Sequence, residues 1–551
     1  MAEEQVNVKA TSNRYQEIAE TLGRHGVGFL ATAAGINSWI RVPVPPHDRR
    51  YTVPERLRLV LEELGPTFVK LGQLLSTRPD LLPPAYIAEF SKLLDAAPPV
   101  APDAITEAIR AELGADPEEI FAEFDSRPLA SASIGQAHTA RLADGTSVVV
   151  KVRRPDAVRK VNEDLEILQN LADRAGRLWE PARTYNVHGL VQEFSQTLRA
   201  ELDYLREAAN AERFAENFEH RPDVSIPEVF RETTTSRVLT LERVSGIRIN
   251  DVAALDAAGV DRPALAKTGA RLMLRMIFED GFFHADPHPG NLFVQPDGSI
   301  TLIDFGMVGD LEPELQDKFV DFLIAFTRRR PEELADALLG LSLTSGLGDR
   351  DQLRGRLASF VAEYSDRSLS EISFARLASQ LLAVVRQQRL QLPREVALIF
   401  KVLIMMEGIG VQLDPKFDLM SVLTPYVRRL VKERLSLAAI SRRMLQASAD
   451  TGALMAEMPA RLRRILERAD KSGIEVHLRA EELEPLVTRT ERIGNRLVAG
   501  LIAAALINGV GNLVVSEKRW RAWDRPLLGA GVTVVSSLTG YLLWTSRRHR
   551  R

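Results

Sequence analysis

The chain has 551 residues, 45% hydrophobic and 26% charged, with a formal net charge of −3. That length exceeds one ordinary core, so two or more domains are expected, and the composition is that of a folded protein. The charge balance gives no pointer to nucleic acid, and the lack of cysteine excludes disulfides, thiolate metal sites and a cysteine nucleophile.

Residues 1–50 are mixed and end in the Pro-rich RVPVPPHDRR; their opening has no basic n-region followed by an apolar core, so no signal peptide is expected. Thr52-Val53-Pro54-Glu55 has the pattern of a capping box with proline in the first turn, and Leu57, Val60, Leu61 and Leu64 continue a helical period. Gly65-Pro66 interrupts it, and PTFVKLGQLLSTRPDLLP begins a second helix. From 121 to 152 short β-prone runs take over, separated by PLASAS and by the hairpin signal Asp144-Gly145. Residues 160–218 return to helix, and RVLTLERV at 237–244 reads as a buried strand ending at Ser245-Gly246. From 255 onward helices dominate outside one stretch, and 428–468 carries ten Lys/Arg against four Asp/Glu, which suits contact with anionic lipid.

The C-terminal part contains two uncharged runs, Leu497–Val515 with 19 residues and Leu527–Trp544 with 18. Each is near the length of a membrane-spanning helix, and Trp520, Trp523, Tyr541 and Trp544 lie at their ends, where a headgroup belt would hold them. Arg489, Arg492, Arg496, Arg547, Arg548, Arg550 and Arg551 flank the outer ends, against Lys518, Arg519, Arg521 and Arg525 in the connection. A transmembrane hairpin with both ends, and hence the body, on the cytoplasmic side is expected.

The stretch that breaks the helical pattern is FFHADPHPGNLFVQPDGSITLIDFGMVG, Phe282–Gly309. Asp286 is followed five residues later by Asn291, and Asp304 stands in Asp-Phe-Gly after a hairpin turn at Asp297-Gly298. Phosphoryl transfer needs magnesium on hard oxygen ligands and a carboxylate beside the attacking oxygen. A DFG tripeptide alone is weak; the ordered set Asp286, Asn291, Asp304 around a hairpin is strong. Upstream, TSVVVKV places Lys151 alone in a β-branched strand, where a cation needs a partner. Before it Leu129-Ala130-Ser131-Ala132-Ser133-Ile134-Gly135 occupies the place of a Gly-rich phosphate loop, with Gly135 its one glycine, so a stiffer loop is expected.

In these motifs the chain resembles the UbiB family of atypical kinase-like proteins, which supports ubiquinone biosynthesis. The resemblance covers roughly residues 50 to 420. Lys70-Leu71-Gly72-Gln73 matches the family's KxGQ motif, Ala130-Ser131-Ala132-Ser133 its alanine-rich loop, and Glu201-Leu202-Asp203 its ExD motif. HADPHPGN is its catalytic loop. Ser131 departs from the usual middle alanine, and Leu94 stands before Asp95 where Gln-Asp is frequent.

The resemblance implies an α+β, two-lobed protein-kinase-like fold with ATP and Mg²⁺ as cofactors. Its parts would be a mixed segment at 1–50, a helical KxGQ extension at 51–120 over the cleft and a sheet lobe at 121–246. A helical lobe at 247–425, a basic helical region at 426–490 and the hairpin with its tail at 491–551 would follow. Lys151 would hold the α- and β-phosphates, Asn291 and Asp304 the metal, and Asp286 would orient the attacking water or hydroxyl. Glu242 and Val244, in a stretch matching a hinge, would offer backbone to adenine. Glu201, Asp203 and Glu207 are read on one helix, with Asp203 and Glu207 sharing a face at i, i+4. One acid should pair with Lys151, Glu207 being favoured and Glu201 the alternative. Glu201 and Asp203 would then meet the KxGQ helix or the metal. Gly72, costly inside a helix, should mark close packing. His284 is read as structural and His288 as part of a rigid turn.

After Asp304 the only hydroxyl side chain before Leu341 is Thr327, so no activation segment or platform for a protein substrate is expected. The function implied is an ATPase supporting quinone assembly at the cytoplasmic membrane. A true phosphotransferase and a nucleotide-gated lipid-binding scaffold are the alternatives. Membrane lipids, isoprenoid quinone precursors, quinone-biosynthesis proteins and a second copy of the chain are the candidate partners.

Overall fold

The computed structural model describes residues 2–29, 51–93, 97–343, 350–364 and 373–434. The linker at 30–50, the Leu94 departure, the basic region beyond 434 and the C-terminal hairpin lie outside the described residues. The principal helices are α1 (Ala2–Arg24), α2 (Val53–Leu64), α3 (Pro66–Ser76), α4 (Pro84–Phe90), α5 (Pro102–Leu113), α6 (Ala157–Leu178), α7 (Val187–Glu201), α8 (Tyr204–Phe218) and α9 (Arg262–Arg275). They continue as α10 (Pro313–Thr327), α11 (Pro331–Leu341), α12 (Arg350–Glu363), α13 (Phe374–Gln387), α14 (Arg394–Leu413) and α15 (Leu419–Arg434). The strands are β1 (Glu123–Phe124), β2 (Ala130–Ser131), β3 (Gly135–Arg141), β4 (Ser147–Arg153), β5 (Val224–Ser225) and β6 (Val238–Glu242). β7 (Ile247–Arg248), β8 (Phe282–His284), β9 (Leu292–Val294), β10 (Ile300–Leu302) and β11 (Val308–Asp310) complete them.

A five-stranded antiparallel sheet runs β1-β3-β4-β6, with β2 also paired to β3. The alternation in SVVVKVR decides its two faces. Val148, Val150 and Val152 are buried against Ile105 and Ile109 of α5 and against Phe121. Lys151 therefore points from the opposite face, toward α8. The β3–β4 turn closes as the sequence predicts: Gly145 has φ +92°, and Thr146 N–H donates to Asp144 Oδ1 at 2.9 Å.

Helices α1–α4 form an extension packed on α6 and α7. The capping box of α2 is present, with Thr52 N–H donating to Glu55 Oε2 at 2.6 Å. Gly72 on α3 is buried because a Cβ there would stand 2.2 Å from Leu93 Cδ1 and 2.7 Å from Leu61 Cδ1. Close packing thus explains a glycine inside a helix. Arg14 of α1 reaches Asp164 of α6 at 2.8 Å and the carbonyl of Leu64 at 2.6 Å.

Helices α8–α15 share one large apolar core built on Phe319, Phe322, Leu398, Phe400, Leu403 and Met406 among others. Helix α14 is long and apolar enough to cross a membrane by composition, but most of it is buried, and it packs on α9, α13 and α15 as a core helix.

One ionic cluster ties the extension to the helical part. Arg78, 4% exposed, binds Asp80 through two contacts of 3.0 and 2.9 Å. It also reaches Glu193 of α7 at 3.2 Å and the carbonyl of Leu392 at 3.2 Å. Arg78→Met leaves the Asp80 carboxylate buried without its cation, so it should cost about 3–5 kcal/mol, and Arg78→Met/Asp80→Leu should recover much of that loss. Thermal melts of the full chain check this; a single variant that melts with the parent would contradict the clamp.

Candidate functional site

The site gathers on α8 and on the loops around β8–β10. Lys151 Nζ lies 2.5 Å from Glu207 Oε1 and 3.5 Å from Asp304 Oδ1. Burial alone would pull the Lys151 ammonium down, but the carboxylates of Asp304 and Glu207 hold it above the ordinary lysine value. Glu201 takes no part in that pair. It ends α7 and binds Lys70 Nζ at 3.0 Å, joining the two sequence motifs.

Asp203 is placed differently from its expectation. Glu201, Asp203 and Glu207 do not share one helix: the helix breaks at Leu202–Asp203, where Asp203 is extended at φ −112° and ψ 98°. Asp203 caps α8, accepting from Leu205 N–H at 3.1 Å, and none of its described contacts is with Lys70 or Gln73. The local reason is competition: an aspartate oxygen satisfies an orphan amide at a helix start better than it serves inside a helix. Gln73 donates to the carbonyl of Leu93 at 3.1 Å, holding α3 to the turn after α4.

The alanine-rich loop also differs from a free phosphate loop. Ala130 and Ser131 are strand β2, paired with Ala137 and Gln136. Ala132 N–H donates to Gly135 O at 2.8 Å, closing the turn through Ser133. Arg154 pins it by donating to Ala132 O at 3.0 Å and to Ser131 Oγ at 3.0 Å. Gly135 is the first residue of β3 rather than a flexible loop position, and its φ is not among the positive ones. A Cβ there would meet the Tyr204 hydroxyl at 2.2 Å and Val152 O at 2.9 Å, so glycine serves close approach. Arg154 and Tyr204 carried no motif signal.

The residues of the HADPHPGN loop are fixed by backbone. The neutral His284 ring, its pKa lowered by burial, donates from Nε2 to Ile303 O at 3.1 Å and accepts Asp286 N–H at Nδ1 at 3.2 Å. His288 Nδ1 accepts Gly290 N–H at 3.1 Å, capping a short 3₁₀ turn over Pro289–Asn291. Asn291 Nδ2 donates to Asp286 O at 3.1 Å, which leaves the amide oxygen available for a cation. Ile303 N–H donates to Asn291 O at 3.0 Å, so the β9–β10 hairpin brings Asn291 beside Asp304.

Asp304 has φ +63°, a left-handed conformation that a non-glycine residue holds only when its surroundings impose it. Those surroundings are visible. Phe305 is fully buried, its ring 5.4 Å from that of Phe214, and its carbonyl accepts from Asn210 Nδ2 at 2.9 Å. The Lys151 ammonium, with help from Lys70, holds the Asp304 carboxyl down at about 2.

Asn291 and Asp304 fit Mg²⁺: a neutral oxygen and an ionised carboxylate are the hard ligands it takes, with phosphates and water completing its shell. Among the described residues no group of three or more His, Asp or Glu side chains forms a protein cage for a metal, and such a site does not require one.

At the hinge, the amides of Glu242 and Arg243 already donate to Glu228 O and Ser147 O at 2.9 Å each, so those two are not offered to adenine. Glu242 and Val244 line a cavity of about 450 Å³ with Gln295, Asp297 and Thr301; Lys151, Asn291 and Asp304 are not in its lining.

Sequence reading missed Lys401. Its Nζ sits 2.8 Å from Asp286 Oδ1. The available signal was a lone lysine in the apolar run LIFKVLIMM.

A lysine–glutamate pair between sheet and helix, with Asp286, Asn291 and Asp304 below it, defines a kinase-like protein. The chain belongs to the UbiB family: the ABC1 atypical kinase-like domain matches residues 92–338, the UbiB helical domain 357–418 and the ABC1/UbiB kinase-like C-terminal domain 481–548. A protein of Xanthomonas campestris pv. campestris (strain B100) named "Probable protein kinase UbiB" is 35% identical over 90% of this chain and 92% of its own length. "Uncharacterized protein sll1770" of Synechocystis sp. is 33% identical over 90% of this chain and 84% of its own length. The structure of Rv3197 with erythromycin, from Mycobacterium tuberculosis, is 27% identical, covers 64% of this chain and 90% of its own, and gives a TM-score of 0.45.

The cap and the ion pair separate by mutation. Asp203→Ala should cost about 1 kcal/mol of stability and Asp203→Asn far less, because asparagine caps as well as aspartate. Nucleotide affinity should not move in either. Melting curves with and without nucleotide check this, and a loss of affinity in Asp203→Asn would contradict the capping role.

Proposed function

We propose that this chain binds Mg·ATP between Lys151, Asn291 and Asp304 and hydrolyses it in support of isoprenoid quinone, specifically ubiquinone, biosynthesis at the cytoplasmic membrane. One observation carries the catalytic part. The contacts Lys151–Glu207, Lys151–Asp304 and Asn291–Asp286 join residues from three distant segments into one charged constellation.

Lys151 binds the α- and β-phosphates, and Glu207 keeps its ammonium aimed. Asn291 and Asp304 are the protein groups that would hold Mg²⁺, which would neutralise phosphate charge. Asp286 orients the attacking water, and the His284 contact to its amide fixes the loop that presents it. The alanine-rich loop, stitched by Arg154, covers the phosphates as a stiff turn.

Water as acceptor is supported by the extension. Lys70 is bound to Glu201 at 3.0 Å and its charge reaches Asp304, so α3 stands beside the site where a protein acceptor would need room. The name of the Xanthomonas relative, a probable protein kinase, favours the second reading, a true phosphotransferase acting on a protein or a small lipid-like alcohol. The quinone role rests on that same UbiB name. The membrane role, with the body facing the cytoplasm, rests on the two uncharged runs at 497–515 and 527–544 and the basic tract before them.

Asp304→Asn should remove the thermal stabilisation by Mg·ATP, since asparagine tolerates the left-handed backbone but loses the charge. Asp286→Asn should keep the shift and lose phosphate release. An undiminished Mg-dependent shift in Asp304→Asn would overturn the metal assignment. In a deletion strain, quinone content should fall and be restored by the parent but not by Asp304→Asn; unchanged quinone content would overturn the biosynthetic role.

A further inference from the structure

Helix α14, REVALIFKVLIMMEGIGVQL, carries one lysine in its apolar middle. The flanking Phe400 and Val402 are buried in the main core. A cation on such a helix is costly unless paired, and Lys401 is paired: its Nζ lies 2.8 Å from Asp286 Oδ1. The partner is the one carboxylate assigned to orient the nucleophile. The pair is not sealed in the core, the lysine side chain being 18% exposed and the aspartate 37%, so a ligand can reach it. It also crosses a boundary, since Asp286 belongs to the kinase-like domain at 92–338 and Lys401 to the helical domain at 357–418.

Hydrolysis develops charge at the γ-phosphoryl oxygens, next to the water that Asp286 orients. An ammonium one hydrogen bond from Asp286 is within reach of that charge, in a site where fixed charges act with little reorganisation. We infer that Lys401 is a catalytic residue: with nucleotide bound, its ammonium contacts the γ-phosphoryl group. In the step, the water oxygen bonds to the γ-phosphorus and the bond to the bridging oxygen breaks, its electron pair leaving on ADP. The water proton passes through Asp286 to solvent. Lys401 stays protonated and forms no covalent bond. The helical domain therefore supplies part of the active site.

This rests on the reading of the cleft as an ATP-hydrolysing site. The test uses the full chain and two probes, Mg·ADP and the non-hydrolysable triphosphate Mg·AMP-PNP, with phosphate release from Mg·ATP. Lys401→Met should weaken AMP-PNP binding about tenfold or more while ADP affinity stays within about twofold, as loss of one charge-assisted contact predicts. Its kcat should fall about a hundredfold. Lys401→Arg should keep most of the preference for triphosphate. A positioning or structural role would shift both probes alike, so an equal loss for ADP and AMP-PNP overturns the proposal, as does full kcat in Lys401→Met. If the parent binds neither probe, the reading of the cleft fails and takes the proposal with it. If the parent binds both and Lys401→Met keeps its triphosphate preference, the Lys401 assignment alone fails. An unchanged circular-dichroism melt establishes that the variant is folded.

Discussion

A lysine in the middle of a valine-rich strand cannot be buried alone, and the rest of the site follows from how its charge is met. Lys151 leaves β4 on the face away from the α5 core, and Glu207 of α8 closes on it at 2.5 Å. Removing one member of such a pair typically costs about 3–5 kcal/mol, because the other is left uncompensated. The position of α8 is therefore dictated by a charge in a strand it does not belong to. The helix breaks just before it, and α8 starts anew after α7 with Asp203 as its cap.

The same helix reaches down to the segment around Asp304. Asn210 and Phe214 hold the carbonyl and ring of Phe305, and this imposes the left-handed backbone of Asp304. Asp304 then stands 3.5 Å from Lys151, and its carboxyl stays ionised to very low pH. Sheet, helix and loop are thus tied by three contacts on α8: the ion pair of Glu207, the hydrogen bond of Asn210 and the ring contact of Phe214. The extension adds a second layer: Lys70 meets Glu201 at the end of α7, and the Arg78–Asp80–Glu193 cluster anchors the turn after α3 to the helical part.

Much of this was legible in the sequence because the chemistry demands particular residues at short spacing. The capping box at Thr52, the Asp144-Gly145 turn and the hairpin between Asn291 and Asp304 are local signals, and the local structure obeys them. Gly72 was legible as a packing residue because a helix interior gives it no other reason. What was not legible depends on long-range partners. Asp203 and Glu207 sit four apart, the spacing of one helix face, yet Asp203 is the cap that starts the helix and its carboxylate is taken up by the Leu205 amide. Gly135 was read as the one glycine of a stiff phosphate loop and is instead room for the Tyr204 hydroxyl, 69 positions away. Lys401 is 115 residues from Asp286, and nothing local marks that contact except a charge out of place in an apolar helix.

The central claim is that the Lys151–Glu207 pair holds Asp304 and Asn291 ready as the metal ligands of a nucleotide site. Its most direct test is a structure of the full chain with Mn²⁺ and ADP, in which anomalous scattering locates the metal. A peak is expected within about 2.0–2.3 Å of both Asn291 Oδ1 and an Asp304 carboxylate oxygen, with Lys151 on the phosphates and still bound to Glu207. A metal held elsewhere, or a nucleotide bound away from Lys151, would contradict it.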